Sequence, residues 1–200
     1  MITLEFYFDI ASPNSYLSHK VLPQLQEHTM VTVKYIPCLL GGIFKATNNQ
    51  SPMMAYANIR HKMNYERLEM QRFVVKHQLN QFRVNPYFPV NTLMLMRGAI
   101  VSQKLGCLEQ YVDVMFKAMW EHGEKLDDLA VIEKVLRTAK MDANAILADI
   151  AAADTKQQLI DNTEQAVERG VFGLPSFFVG SEMWFGKERL RDIEEYLLNK

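Results

Sequence analysis

Apolar and polar residues alternate from Leu4 to Asp9, with Leu4, Phe6 and Phe8 on one side and Glu5, Tyr7 and Asp9 on the other, in residue types that favour strands. This pattern predicts a short buried strand. At Ser12-Pro13 the period changes, and Tyr16, Leu17, Val21, Leu22 and Leu25 then fall on one helical face. Serine before proline reads as an N-cap with proline at the first helical position, where a missing N–H costs nothing. Pro23 lies inside this helix and is expected to kink or split it, with the end near His28. Val31 to Ile36 read as a second strand, and a β-α-β unit favours parallel pairing.

From Pro37 to Gln50 the pattern breaks at Gly41-Gly42 and Asn48-Asn49, which predicts a loop leaving the sheet. From Pro52 to about Leu159 helical spacing recurs without a convincing strand. Leu108, Tyr111, Val112, Met115, Phe116 and Met119 form the clearest face, followed by Leu129, Ile132, Val135 and Leu136, then Ile146, Leu147 and Ile150. Most of the twelve methionines lie in this region, including Met53, Met54, Met94 and Met96, and core filling is their ordinary use. The alternative use is a pocket for a flat apolar substrate. Gly170 closes a helix that starts near Thr155, and Gly173 to Val179 return to strand composition. Gly180-Ser181 suits a tight turn into Met183, Trp184 and Phe185, and a last helix carries Leu190, Ile193, Tyr196 and Leu197 inward.

Composition narrows the class. Two hundred residues with 48% hydrophobic content can fill a sizeable core, and 22 basic against 23 acidic residues give a net charge of −1. Such a balance offers no broad field for nucleic acid or an anionic membrane. The chain enters its first strand without a basic segment and apolar run, so an intracellular, cytoplasmic protein is expected. Cys38 and Cys107 have no neighbouring cysteines, and the histidines at 19, 28, 61, 77 and 122 stand singly, so neither a disulfide framework nor a metal site is signalled. Two buried thiols are expected instead.

The chemistry concentrates at Ser12. A strand handing over to a helix there presents a hydroxyl, free backbone N–H groups and a positive dipole end to one point, which suits an anion such as a thiolate. A serine before proline can equally be only a cap. The stretch FYFDIASPNSYL closely resembles the start of the 2-hydroxychromene-2-carboxylate isomerases and of the related kappa-class glutathione transferases. That family is thioredoxin-like and interrupted by a helical domain. The resemblance implies an α/β fold: a thioredoxin-like, glutathione-binding domain from residues 1–40 and 160–200, with an inserted all-α domain at 41–159. Where thioredoxin-type oxidoreductases carry Cys-x-x-Cys, this chain has Ser12 and Ser15, which cannot form a disulfide.

GVFGLPSFFVGSEMWFGKERL is similar over its length to the carboxyl-terminal segment of the isomerases. By composition alone Pro175 could be an edge-strand proline. The resemblance makes the Leu174-Pro175 peptide cis, facing the Ser12 turn, with the Leu174 backbone pairing the cysteinyl backbone of glutathione as an added strand would. Lys187 and Glu188 then sit at the start of the last helix, whose first N–H groups would hold the γ-glutamyl carboxylate while Glu188 reaches the amine. The family usually has aspartate at Glu188, preceded by serine or asparagine, so Lys187 and Glu188 are both departures. Asn49-Gln50-Ser51-Pro52 resembles a kappa-class loop whose asparagine lies near the bound sulfur, and His61-Lys62 with Tyr65 also fits the kappa pattern. Asn49 and Lys62 carry over, Lys62 toward the glycyl carboxylate. Asn14 departs from the aromatic that the family commonly places there.

The resemblance thus implies a glutathione-dependent cis-trans isomerase of unsaturated aromatic ketoacids, of a kind used in aromatic catabolism. Ser12 would steady the thiolate of glutathione, the substrate would be a small aromatic molecule, and the protein would be a homodimer. A kappa-type transferase or peroxidase that consumes glutathione is the near alternative. A glutathione-binding protein without turnover is the alternative from another class.

Overall fold

A computed structural model describes residues 2–200. The strands β1 (Thr3–Phe8), β2 (Thr32–Pro37), β3 (Ser176–Val179) and β4 (Glu182–Phe185) form one sheet in the order β2-β1-β3-β4. β1 and β2 are parallel, and β1–β3 and β3–β4 are antiparallel. The parallel pair is joined by α1 (Pro13–Thr29), as a right-sized crossover requires. Between β2 and β3 run eight α-helices: α2 (Leu40–Ala46), α3 (Pro52–Ala55), α4 (Lys62–Lys76), α5 (Leu93–Lys104), α6 (Leu108–Lys117), α7 (Leu129–Thr138), α8 (Ala143–Ala148) and α9 (Ala153–Glu168). A π-helical turn, Ala118–His122, continues α6, and a 3-10 turn, Lys187–Arg189, precedes α10 (Leu190–Leu198).

Alternation along β1 decides which helices pack where. Leu4, Phe6 and Phe8 join Val33, Tyr35, Phe177 and Val179 on one face, against Leu17, Leu22 and Leu25 of α1 and Ile193 and Leu197 of α10. Phe6 faces Phe177 and Tyr35 across the strands, and its ring stacks on Phe177 at 5.3 Å. The same core continues into the helical region through Met96, Ile100, Tyr111, Met115, Phe116 and Trp120. Tyr7 and Phe178 occupy the other face with Ile43 of α2 and Ala166 of α9. Gly98 is where α5 meets α6: a Cβ there would collide with the Tyr111 hydroxyl, which donates to Leu95 O at 2.9 Å.

Four sequence expectations change. α1 is not split at Pro23: it runs unbroken from Pro13 to Thr29, close to the expected end near His28, and is capped by Met30, whose φ of 55° lets its N–H reach Gln26 O at 2.8 Å. The expected loop at 37–50 contains α2, because Leu39 N–H donates to Thr163 Oγ1 at 3.0 Å and Leu40 N–H to Asp9 Oδ2 at 2.8 Å, while Ile43 is buried. These tertiary bonds offset the helix-breaking tendency of Gly41-Gly42. The methionines divide: Met96, Met115 and Met119 fill the core, whereas Met53 and Met54 are 54% and 67% exposed, so core filling does not account for them. Cys38 is buried, but Cys107 is only half-buried at the start of α6.

Candidate functional site

The strand-to-helix turn after β1 is built by short-range bonds. Ser12 N–H donates to Asp9 O at 3.0 Å, and the Ser12 hydroxyl caps α1 by accepting from Ser15 N–H at 3.1 Å. The same hydroxyl donates to Leu174 O at 3.0 Å, across a sequence separation of 162. Leu174-Pro175 is cis, so Ser12 and the cis-proline segment meet directly. A second cis bond, Phe88-Pro89, gave no sign in the sequence.

Polar groups at this turn exceed their partners. Ser15 is fully buried with no hydrogen-bond partner for Oγ, and Asn14 Oδ1 is buried without one. An unsatisfied buried polar atom costs about 1–3 kcal/mol, and this turn carries two of them side by side. Ser12 itself is 4% exposed, so the turn is closely covered.

The remaining candidates are distributed more widely. Asn49 lies between α2 and α3; its Nδ2 donates to Phe172 O at 2.8 Å, tying that loop to the segment that leads into Leu174. Lys62 opens α4, where its ammonium pairs with Glu66 at 2.6 Å and lies 5.0 Å from the Tyr56 ring. The hydrogen bond to Glu66 raises its pKa. Lys62 is therefore engaged within its own helix. The buried Lys187 ammonium pairs with Glu188 and sits 5.4 Å from the Phe73 ring of α4. Gly186 adopts a φ of 93°, and a Cβ there would meet Glu188 Oε2 at 2.9 Å. Lys187 and Glu188 line a groove of about 380 Å³ with Val21, Leu25, Phe73 and His77. Its α1 wall begins at Val21, about two and a half helical turns beyond Ser12. The amide groups expected at the start of the last helix belong to the 3-10 turn, since α10 proper begins at Leu190.

Several groups around the turn were not legible in the sequence. Asp9 is 1% exposed and accepts from Ala11 N–H at 2.8 Å and from Thr92 Oγ1 at 2.7 Å. Burial pushes its pKa up, against the hydrogen bonds that lower it. Its place as the acid ending an apolar strand was the one available signal. Trp120 Nε1 donates to Ile10 O at 2.9 Å. Farther along α1, Tyr16 donates to Glu121 Oε1 at 2.9 Å, and burial raises the Tyr16 pKa. His19 joins Tyr35 at 2.9 Å and Asp113 at 3.4 Å; the His19 bond and that from Lys117 hold the Asp113 carboxyl well below the usual range. Burial pushes the Cys38 thiol up, which makes it a poor nucleophile. Among the described residues no helix is long and apolar enough to cross a membrane.

Similarity to known proteins runs the whole length of the chain. It is 28% identical over 196 residues to the 2-hydroxychromene-2-carboxylate isomerase of Pseudomonas sp. strain C18, covering 97% of this chain and 89% of that one. It is also 28% identical over 212 residues to glutathione S-transferase kappa 1 of Rattus norvegicus, covering 98% and 91%. A solved structure of 2-hydroxychromene-2-carboxylate isomerase superposes with a TM-score of 0.81 at 27% identity, covering 98% of this chain and 95% of the other. The α/β architecture is thus thioredoxin-like with a helical insertion. With a family model matched from residue 3 to residue 198, the chain belongs to the DSBA-like thioredoxin domain family.

Proposed function

We propose that this protein is a glutathione-dependent cis-trans isomerase of unsaturated aromatic ketoacids, acting in the cytoplasm as a homodimer. The observation that carries this reading is the Ser12 hydroxyl, which caps α1 and donates to Leu174 O at 3.0 Å. Likeness to the isomerases over nearly the whole chain gives that geometry its chemistry.

Several of the residues present support glutathione as the cofactor. A peptide carrying a thiolate needs a donor for sulfur, backbone groups for its peptide unit and polar contacts for its charged ends. Ser12 and the Asn14 N–H at the start of a 17-residue helix meet the first need, since Pro13 has no N–H and the Ser15 N–H is bonded to Ser12 Oγ. Leu174, beside the cis bond, supplies the second, and the orphaned Ser15 Oγ and Asn14 Oδ1 leave polar capacity at the same turn. Asn49, bonded to Phe172 O, stands next to that strip of backbone. Lys187 and Glu188 would serve the γ-glutamyl end from the start of the 3-10 turn, and Lys62 the glycyl carboxylate once it is released from Glu66.

Bound glutathione would supply a nucleophilic thiolate that adds reversibly to the electrophilic carbon, so that rotation becomes free before it leaves. Ser12 would turn its proton from Leu174 O toward the sulfur and stabilise its charge both before addition and after expulsion. Water exclusion would fall to the closely packed turn, where Ser12, Ser15 and Leu174 are all buried.

The test is turnover of an unsaturated aromatic ketoacid with substoichiometric reduced glutathione. Many turnovers with full recovery of free thiol support the isomerase. Thiol lost in proportion to product supports a kappa-type transferase instead, the reading that the Asn49 and Lys62 matches favour. Binding without either change supports a glutathione-binding protein.

A further inference from the structure

Three side chains of the helical insertion converge on the residues that precede Ser12. Asp9 Oδ1 accepts from Thr92 Oγ1 at 2.7 Å and from Ala11 N–H at 2.8 Å, while Oδ2 accepts from Leu40 N–H at 2.8 Å. The Ile10 N–H points at the Met96 sulfur at 3.4 Å, and Ile10 O accepts from Trp120 Nε1 at 2.9 Å. Asp9 O in turn receives the Ser12 N–H. The short segment that aims Ser12 is thus pinned on α2, α5 and the π-helical turn.

Thr92 gives the clearest sign that this is more than packing. It is the N-cap residue of α5, yet its side chain makes no cap hydrogen bond to its own helix. The hydroxyl is directed to Asp9 instead. A threonine at an N-cap ordinarily accepts from a first-turn amide; here Asn91 Oδ1 takes that place, accepting from Leu93 N–H at 3.0 Å, and the Thr92 hydroxyl is left to donate to Asp9. A carboxylate so near the turn does not itself help a thiolate to form, because like charges repel. Its use is geometric: a hydroxyl donor must be held to within about 0.5 Å to serve a developing charge, and loop residues have soft dihedrals.

We propose that Asp9 is a positioning residue for Ser12, and that the helical insertion aims the Ser12 hydroxyl by orienting the Asp9 carboxylate through Thr92 and holding Ile10 through Trp120. On this view the insertion is part of the device that fixes the thiolate donor, in addition to any contact with substrate. The proposal rests on Ser12 being the thiolate donor.

Thr92→Val removes the hydroxyl at nearly constant shape, and Thr92→Ser keeps it. In the protein without ligand, the amides of residues 10–12 are expected to exchange with deuterium about tenfold faster in Thr92→Val, the size expected for one lost hydrogen bond, and at the wild-type rate in Thr92→Ser. In the complex with reduced glutathione, Thr92→Val should raise the thiol pKa by at least about half a unit, a threefold loss of thiolate below that pKa, and Thr92→Ser should restore it. Affinity for the protonated thiol form should stay within about twofold, because backbone contacts to the peptide are untouched. Trp120→Phe, which removes only the indole donor, carries the same expectations should Thr92→Val fail to fold. Equal exchange and equal titration in the valine and serine variants, with only melting temperature changed, would overturn the proposal, as would a fall in thiol pKa. Failure of wild type to bind glutathione overturns the proposed function, and the exchange comparison then still decides whether the clamp exists.

Discussion

Replacing Ser12 by alanine separates a catalytic hydroxyl from a helix cap, because the structure gives that hydroxyl two measurable bonds. It accepts from Ser15 N–H at 3.1 Å and donates to Leu174 O at 3.0 Å, and neither partner is exposed. Loss of the cap costs about 1 kcal/mol. Leaving the buried Leu174 carbonyl without this donor adds about 1–3 kcal/mol. Together these lower stability by about 2–4 kcal/mol, about 4–16 °C in melting temperature for a chain of this size. If Ser12 also donates to a bound thiolate, a charge-assisted bond of about 1.5–3 kcal/mol is lost, raising the thiol pKa by about one to two units. The assay is ultraviolet titration of the thiolate in the glutathione complex, alongside thermal unfolding of the free protein. A melting temperature lowered as expected, with the bound thiol titrating as in wild type, would refute the catalytic role and leave Ser12 as a cap.

Reduced glutathione at a hundred times its dissociation constant should stabilise the folded protein by about 2.7 kcal/mol through mass action; no shift in melting temperature at millimolar concentration would defeat the glutathione reading. Asp113 has its folded pKa held below the unfolded value of about 3.9, so its contribution is present above that pH and is lost as pH falls through the range toward the folded pKa. Asp113→Asn should therefore be less stable than wild type at neutral pH, with the two unfolding curves converging in acid. Gly98→Ala should cost about 1–3 kcal/mol in denaturant unfolding, because its methyl must displace the Tyr111 hydroxyl from Leu95 O in a filled core.

The sequence by itself determined the local parts of this protein. Alternation in β1, the Ser12-Pro13 cap and the helical face of α1 are encoded within a few residues, and β3, β4 and α10 follow from equally local signals. The cis Leu174-Pro175 bond was legible only through resemblance, since composition allowed an ordinary edge-strand proline. What tertiary structure decided is everything whose energy comes from distant partners. α2 forms despite Gly41-Gly42 because Asp9 and Thr163 receive its first amides, and α1 passes Pro23 because its buried face is held by the sheet. Met53 and Met54 look like core residues in composition but lie on α3, which buries nothing. The surroundings of Ser12 are the sharpest case. Thr92 reaches Asp9 across 83 positions and Trp120 reaches Ile10 across 110, and no spacing rule links residues so far apart. Periodicity reports which face of an element is buried, whereas the partner of a single hydroxyl or indole N–H is chosen only when the elements have packed.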